Sequence, residues 1–385
     1  MLRLALMATQ AQSWLFDIAA PLWISVDRNP AGLFAERLDL QGRVHPSDRR
    51  LFVQARQIYA YCELGRLGWQ GPWLSTITQT MEHLLRNGRR KDGFYIHTFT
   101  HEGIPADTRA DLYDHCFVLL ALAHIGKVTG ESAWFNEAEA IMDLIEARWR
   151  HRCGGFVEGE IVGAPRRQNP HMHLLEAALA LWVQSGHHRW RALAMEIADL
   201  CSMHFLDPAT GALLEYFADD WTTLETENGK VVEPGHCFEW SWLLEGAGLA
   251  LPRGQAIASG LIGFARRHGV DHRRGVAINE VNLDGQPRDN RARLWPQAER
   301  LKAALARYKQ TCDVMELDEA EFAYRGISHY LQTSFPGVWY DKLNSDGSWI
   351  PEPAPASSFY HITGAFSELI RSAEALASVA SASAK

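Results

Sequence analysis

Six glycines recur at nearly even spacing: Gly32, Gly93, Gly155, Gly211, Gly275 and Gly337, separated by 61, 62, 56, 64 and 62 residues. Each opens a short apolar or aromatic run, from Leu33-Phe34 in the first to Val338-Trp339 in the last. In four of the six a second glycine follows ten residues later, at Gly42, Gly103, Gly285 and Gly347. Short apolar runs punctuated by glycine read as β-hairpins. A repeat that persists from end to end means one supersecondary unit used six times. It leaves no linker or composition shift at which to divide the chain, so residues 1–385 read as a single domain. The Ser- and Ala-rich tail after about residue 378 is expected to be dispensable and disordered.

Between the glycine marks the pattern is helical. In residues 132–150, Trp134, Ala138, Ile141, Met142, Ile145 and Trp149 form one apolar stripe with acids on the other side, the mark of a surface helix. Residues 112–125, 173–183 and 237–251 are apolar almost all round, which means burial on every side. Twelve helices are expected, near 3–26, 46–66, 72–90, 108–128, 132–150, 171–185, 188–205, 235–250, 254–268, 290–308, 316–332 and 357–378. The joints after residues 66, 129, 186 and 250 are turn-sized, as antiparallel neighbours need. Alternating surface and buried helices in a sixfold repeat predict an all-α (α/α)6 barrel, six inner helices ringed by six outer ones, with the short β-hairpins at one mouth.

The bulk composition excludes several classes. The formal net charge of −8 argues against nucleic acid and anionic membrane as main partners. No apolar stretch is long enough to span a bilayer. The six cysteines are scattered without a C-x-x-C pair, which suits reduced thiols and a cytoplasmic location. There is neither a P-loop nor a full G-x-G-x-x-G, so no nucleotide site is expected.

The repeat also carries chemistry. Between 18 and 25 residues after each mark stands a polar side chain: Arg56, Tyr113, His173, His236, Glu299 and His361. Each falls in the first half of an inner helix, where side chains lean back toward the N-terminus. All six are therefore expected to line one cavity, walled by Tyr95, Tyr216, Trp221 and Trp339 of the hairpins. Helix N-termini there favour anionic intermediates, and histidine both takes and gives a proton near neutral pH. Asn169 reads as an N-cap ahead of Pro170. His171 and His173 point apart on a helix, so they do not form a ready metal pair, and no closed ligand set of the usual spacing is present. Glu239 lies three residues after His236 on the same helical face, placed to orient the imidazole or to bind a substrate hydroxyl. Glu176, Glu239, Glu299 and Asp114 keep glycoside hydrolysis by paired carboxylates as a rival. Each of those acids sits beside a His, Tyr or Trp that gives it another task. Trp295 and Trp240 are candidates to stack on a sugar ring.

The segments NPHMHLLEAALAL, EPGHCFEWSWLL, RLWPQAERLKAAL, FVQARQIYAY and DLYDHCFVLLALA resemble the N-acylglucosamine 2-epimerase family, over about residues 10–370. The resemblance implies an (α/α)6 barrel that moves a proton next to a sugar carbonyl with no cofactor and no metal. It puts the acid/base pair on His236 and His361 and a third histidine on His173. It implies that Arg56, Tyr113, Asn169, Glu239, Trp295 and Glu299 bind a monosaccharide or small oligosaccharide. The LYDHCFVLLALA segment looks closest to the branch that isomerises mannose and fructose. A 2-epimerase acting on N-acylglucosamine or cellobiose-type sugars is the alternative, and a phosphorylated or sulfonated sugar stays open. The expected state is a monomer or homodimer.

Overall fold

The computed structural model describes residues 2–26, 31–160, 165–246 and 254–383. Among them twelve helices follow one another. They are α1 (Leu2–Ser13, carried on by a π-helical stretch over Trp14–Ala19 and then Ala20–Ser25), α2 (Leu51–Arg66), α3 (Trp73–Asn87), α4 (Leu112–Thr129), α5 (Ser132–Trp149), α6 (Asn169–Ser185), α7 (His188–Leu200), α8 (Pro234–Gly246), α9 (Gly254–His268), α10 (Leu294–Thr311), α11 (Met315–Tyr330) and α12 (Ser357–Ser383). The even-numbered helices pack side by side in the order α2, α4, α6, α8, α10, α12 and back to α2. Each odd-numbered helix lies outside the inner helix that precedes it, and α1 lies against α12. This is an (α/α)6 barrel.

The two rings differ as their sequences require. In α2 every residue from Leu51 to Leu64 is buried, polar ones included. In α3 only Thr76, Ile77, Thr80, Met81 and Leu84 are buried, a single stripe that faces α2. An inner helix touches neighbours on every side, and an outer one seals a single face.

Three inner helices start later than the sequence predicts, at Leu51, Leu112 and Leu294 instead of near 46, 108 and 290. The reason is strand pairing. The residues just before each inner helix are extended and bond to the hairpin of the next unit: Arg50 opposite Thr98, Asp111 opposite Gly159, Arg167 opposite Tyr216, Val232 opposite Val281, and Arg293 opposite Lys342. The last unit pairs with the first, Pro355 opposite Arg37, and closes the ring. The hairpins are thus a belt stitched between units rather than six local ornaments. Among the described residues, a second turn follows ten residues after the glycine mark in five of the six units. At the second turn Gly42, Gly103, Gly285 and Gly347 have φ of 77, 92, 82 and 90°. Trp221 takes the same left-handed position with φ of 67°. Its burial, its Nε1 bond to the Gly154 carbonyl at 3.0 Å and its packing on His171 and Phe205 outweigh the local strain. Residues 161–164 of the third unit and the joint after residue 250 lie outside the described residues.

Helix α12 continues to Ser383, past the point near 378 where the sequence reading ended order. Alanine is the strongest helix former, and the tail is rich in it. No helix among the described residues is long and apolar enough to cross a membrane.

Candidate active site

The first turns of the inner helices converge on a cavity of about 290 Å³ at the hairpin end. Arg56 of α2, Tyr113 of α4, Asn169 and His173 of α6, His236 and Glu239 of α8, Trp295 of α10 and His361 of α12 all line it. A second set of inner-helix side chains fixes the belt against the barrel. Gln54 Oε1 accepts from Phe34 N at 2.8 Å, His115 Nε2 from Tyr95 N at 3.0 Å, His171 Nε2 from Phe156 N at 3.0 Å, and Gln297 Oε1 from Ala277 N at 2.7 Å. Each stands two residues from a cavity residue in sequence, on a different face of its helix, and clamps the strand that follows a glycine mark. His115 and His171 are therefore structural, and burial holds both well below the usual histidine range, His115 at about 4 and His171 at about 3.

Each cavity histidine presents Nδ1 to a glutamate. His236 faces Glu215 Oε2 at 3.0 Å, His361 faces Glu299 Oε1 at 2.7 Å, and His173 faces Glu176 Oε2 at 3.1 Å. This leaves each Nε2 for a substrate. Both His236 and His361 pack on Trp295, with ring centroids 5.0 and 5.5 Å away. Arg56 donates to the Tyr113 hydroxyl at 2.8 Å, and its guanidinium is walled by Phe117 at 4.1 Å and Tyr360 at 4.8 Å.

The three histidines do not share one charge. Burial alone would keep His236 neutral, but the Glu215 and Glu233 carboxylates outweigh it and push its pKa up to about 9. Burial dominates at His361 and draws it down to about 4, because Arg56 and Lys302 offset Glu299. His173 is likewise drawn to about 4 by burial against the pull of Glu176. At neutral pH these shifts favour a charged His236 and a neutral His361.

Several expectations need correction. Glu299 does not line the cavity; it is fully buried behind His361, between that ring and Lys302 Nζ at 2.8 Å. Its helix rotates it past the lumen and into the seam with α12. Glu239 does not orient His236, a task that falls to Glu215 from the belt. Asn169 caps nothing: it is the first residue of α6, and its Oδ1 is buried without a partner. Tyr95, Tyr216, Trp221 and Trp339 are not in the wall; Trp339, for one, stacks on Trp23 at 4.8 Å in the core. The wall is instead Phe52, Glu233, Arg293, Asp341, Lys342, Ser357 and Ser358. Of the four carboxylates weighed for hydrolysis only Glu239 reaches the cavity; Asp114 is held by His97 at 2.6 Å beneath the belt. Glu176 backs His173 and also lines a second cavity, about 460 Å³, at the far end of the barrel.

Sequence reasoning missed Glu215, Glu233, Arg293, Asp341 and Lys302. A signal for two of them was present. Three or four residues after each mark stands a second polar column: Glu36, His97, Glu158, Glu215, Asn279 and Asp341. Most of its members hold the start of the inner helix that follows, as Glu36 holds Arg50 at 2.6 Å and Asp341 holds Ser358 at 2.7 Å.

Three sets bring their ligand atoms within 4.8 Å of one another: His173, Glu176 and Glu239; Glu215, Glu233 and His236; and Glu239, Glu299 and His361. In each the histidine Nδ1 already meets a carboxylate, and Lys302 supplies positive charge beside the third. None is assigned as a metal centre.

Comparison with known proteins gives a consistent picture. The family model described as N-acylglucosamine 2-epimerase matches residues 32–365. The chain is 38% identical to a mannose-6-phosphate isomerase of Rhizobium meliloti over 94% of this chain and 97% of that one. It is 25% identical to an N-acylglucosamine 2-epimerase of Bos taurus, over 86% and 82% of the two chains. The fold superposes on a cellobiose 2-epimerase from Bacillus thermoamylovorans with a TM-score of 0.86 at 20% identity, covering 94% of this chain and 98% of that one.

Proposed function

The chain belongs to the N-acylglucosamine 2-epimerase family, whose members here are isomerases and epimerases of sugars, and we propose that it is a cofactor- and metal-independent aldose–ketose isomerase of the mannose–fructose type. The observation that carries this reading is the pairing of two histidines on one tryptophan in one cavity, with the surroundings of His236 favouring its charged form and those of His361 its neutral form. An aldose must open its ring, lose the proton on C2 and pass through an enediolate. His236, charged, gives a proton to O1 as the enediol forms and takes one back from the O2 hydroxyl as the ketone forms. His361, neutral, takes the proton from carbon and returns it to C1. Arg56 stabilises the negative oxygen, with Tyr113 fixing the guanidinium. Each general acid or base contributes about 10²–10⁴-fold. We place the enzyme in the cytoplasm, in line with its cysteines, all of which are free.

A second reading is a 2-epimerase, favoured by the likeness to relatives of that name. The relative named mannose-6-phosphate isomerase adds a phosphorylated sugar to the test. Arg293 and Lys342 are the cations such a group would meet at the rim. Each already holds a carboxylate, Glu233 at 2.9 Å and Glu352 at 2.9 Å, which supports an uncharged sugar. Incubation with mannose, mannose 6-phosphate, N-acetylglucosamine and cellobiose in D₂O, followed by NMR, separates these readings. A ketose from mannose with deuterium at C1 is expected. Deuterium at C2 of an epimer makes it a 2-epimerase, and shorter sugars without carbon-bound deuterium would make it a hydrolase.

A further inference from the structure

Glu239 is 1% exposed, yet it forms part of the cavity lining. Its Oε1 is buried with no hydrogen-bond partner, and His173 Nδ1 is 4.0 Å away. Two more buried carboxylates stand beside it, Glu176 and Glu299. Both of those are provided for. Glu176 receives hydrogen bonds from His173 and from the Tyr360 hydroxyl. Glu299 meets His361 and Lys302. Lys302 is the ammonium of this cluster, and it is committed: Nζ ion-pairs with Glu299 and lies 3.5 Å from the centre of the Trp242 ring. Three acids therefore share one lysine, and Glu239 is the member left over. A buried carboxylate with a free oxygen and two acidic neighbours is far more costly than the neutral acid.

We propose that Glu239 stands in the resting enzyme as a neutral carboxylic acid and donates a hydrogen bond to the sugar oxygen on which negative charge develops. This rests on the isomerase reading above and gives the floor of the cavity a role in it. Burial, then repulsion from Glu299 and Glu176, holds the proton in place against the pull of Lys302 and His236. A neutral acid at this position is a donor that strengthens as the enediolate forms, and it adds no second negative charge to a site that must accept one. A carboxylate would oppose the same intermediate.

Two measurements test this, one of which needs no substrate. Infrared spectra of the substrate-free enzyme at neutral pH should show the carbonyl stretch of a neutral carboxylic acid, missing in Glu239→Gln. Absence of a difference between the two proteins would overturn the proposal. In turnover, Glu239→Gln keeps a donor and an acceptor of similar size and should hold kcat/KM within about tenfold of the wild type. Glu239→Ala should lose about 10²–10³-fold, the usual cost of one oxyanion donor. If the Gln variant, folded by circular dichroism, were as poor as the Ala variant, a carboxylate role would replace this one. If both kept full activity, Glu239 would have no role. A clear infrared band with no sugar turned over by the wild type would instead sink the isomerase reading.

Discussion

His236 and His361 sit in the same cavity, each with Nδ1 about 3 Å from a glutamate and each packed on Trp295. Their charges nevertheless differ. At His236 the partner Glu215 is held by the uncharged Gln168 amide at 2.9 Å, and Glu233 adds a second acid 4.0 Å from the ring. At His361 the partner Glu299 is matched by Lys302, with Arg56 near. A carboxylate contact therefore does not by itself make a histidine charged. The sum of charge around the pair decides, and here it favours the charged ring at one fold-equivalent position and the neutral ring at another.

Removing either ring should have the largest effect. His236→Ala and His361→Ala are each expected to lower kcat by about 10²-fold or more with the fold intact by circular dichroism. A silent His361 would break the comparison at once. The next test exchanges the surroundings and keeps the rings. The activity should require His361 neutral and His236 charged, so kcat/KM should fall below a limb near pH 4 and above one near pH 9. Glu215→Gln removes the charge that raises His236, so the alkaline limb should move down by about one unit or more. Lys302→Met frees the charge of Glu299 to act on His361, so the acid limb should move up. If these variants moved the opposite limbs, or neither, the explanation by local charge would fail.

The contrast between clamp and cavity histidines predicts a smaller effect of another kind. His171→Ala leaves the Phe156 amide without its acceptor, at a cost of about 1–3 kcal/mol in stability. Denaturant unfolding should show this while kcat changes little. A loss of kcat like that of His236→Ala would place His171 in the chemistry instead. The smallest expected effect is that of chelation: dialysis against EDTA should leave turnover unchanged, and rescue by added Zn²⁺ or Mn²⁺ would reassign one of the three His–Glu sets as a metal site.

The legible part of this molecule was its repeat. The glycine marks and the one-sided or all-round burial pattern placed the helices and the hairpin end, because those follow from local turn geometry and helical period. They also brought Arg56, Tyr113, His173, His236 and His361 to one cavity. The hidden part was what pairs across units. Nothing local in Arg49-Arg50 says that it bonds to Thr98-Phe99, so three of the six inner helices start later than their sequence suggests. Glu215 reaches His236 from the belt, 21 residues away in the chain, and Lys302 meets Glu299 inside a packed helix seam. Spacing places a side chain on a helix, but its rotation into the lumen or the seam is set by the neighbouring helix, as Glu299 demonstrates.

The central claim is that the two cavity histidines differ in charge at neutral pH. NMR of the ring nitrogens in protein with ¹⁵N-labelled histidine, assigned with His236→Ala and His361→Ala, reads each charge directly. The account predicts an imidazolium at His236 that titrates near pH 9 and a neutral ring at His361 down to about pH 4, with Nδ1–H held toward Glu299. Two rings titrating together near their ordinary value, or the two charges reversed, would contradict it.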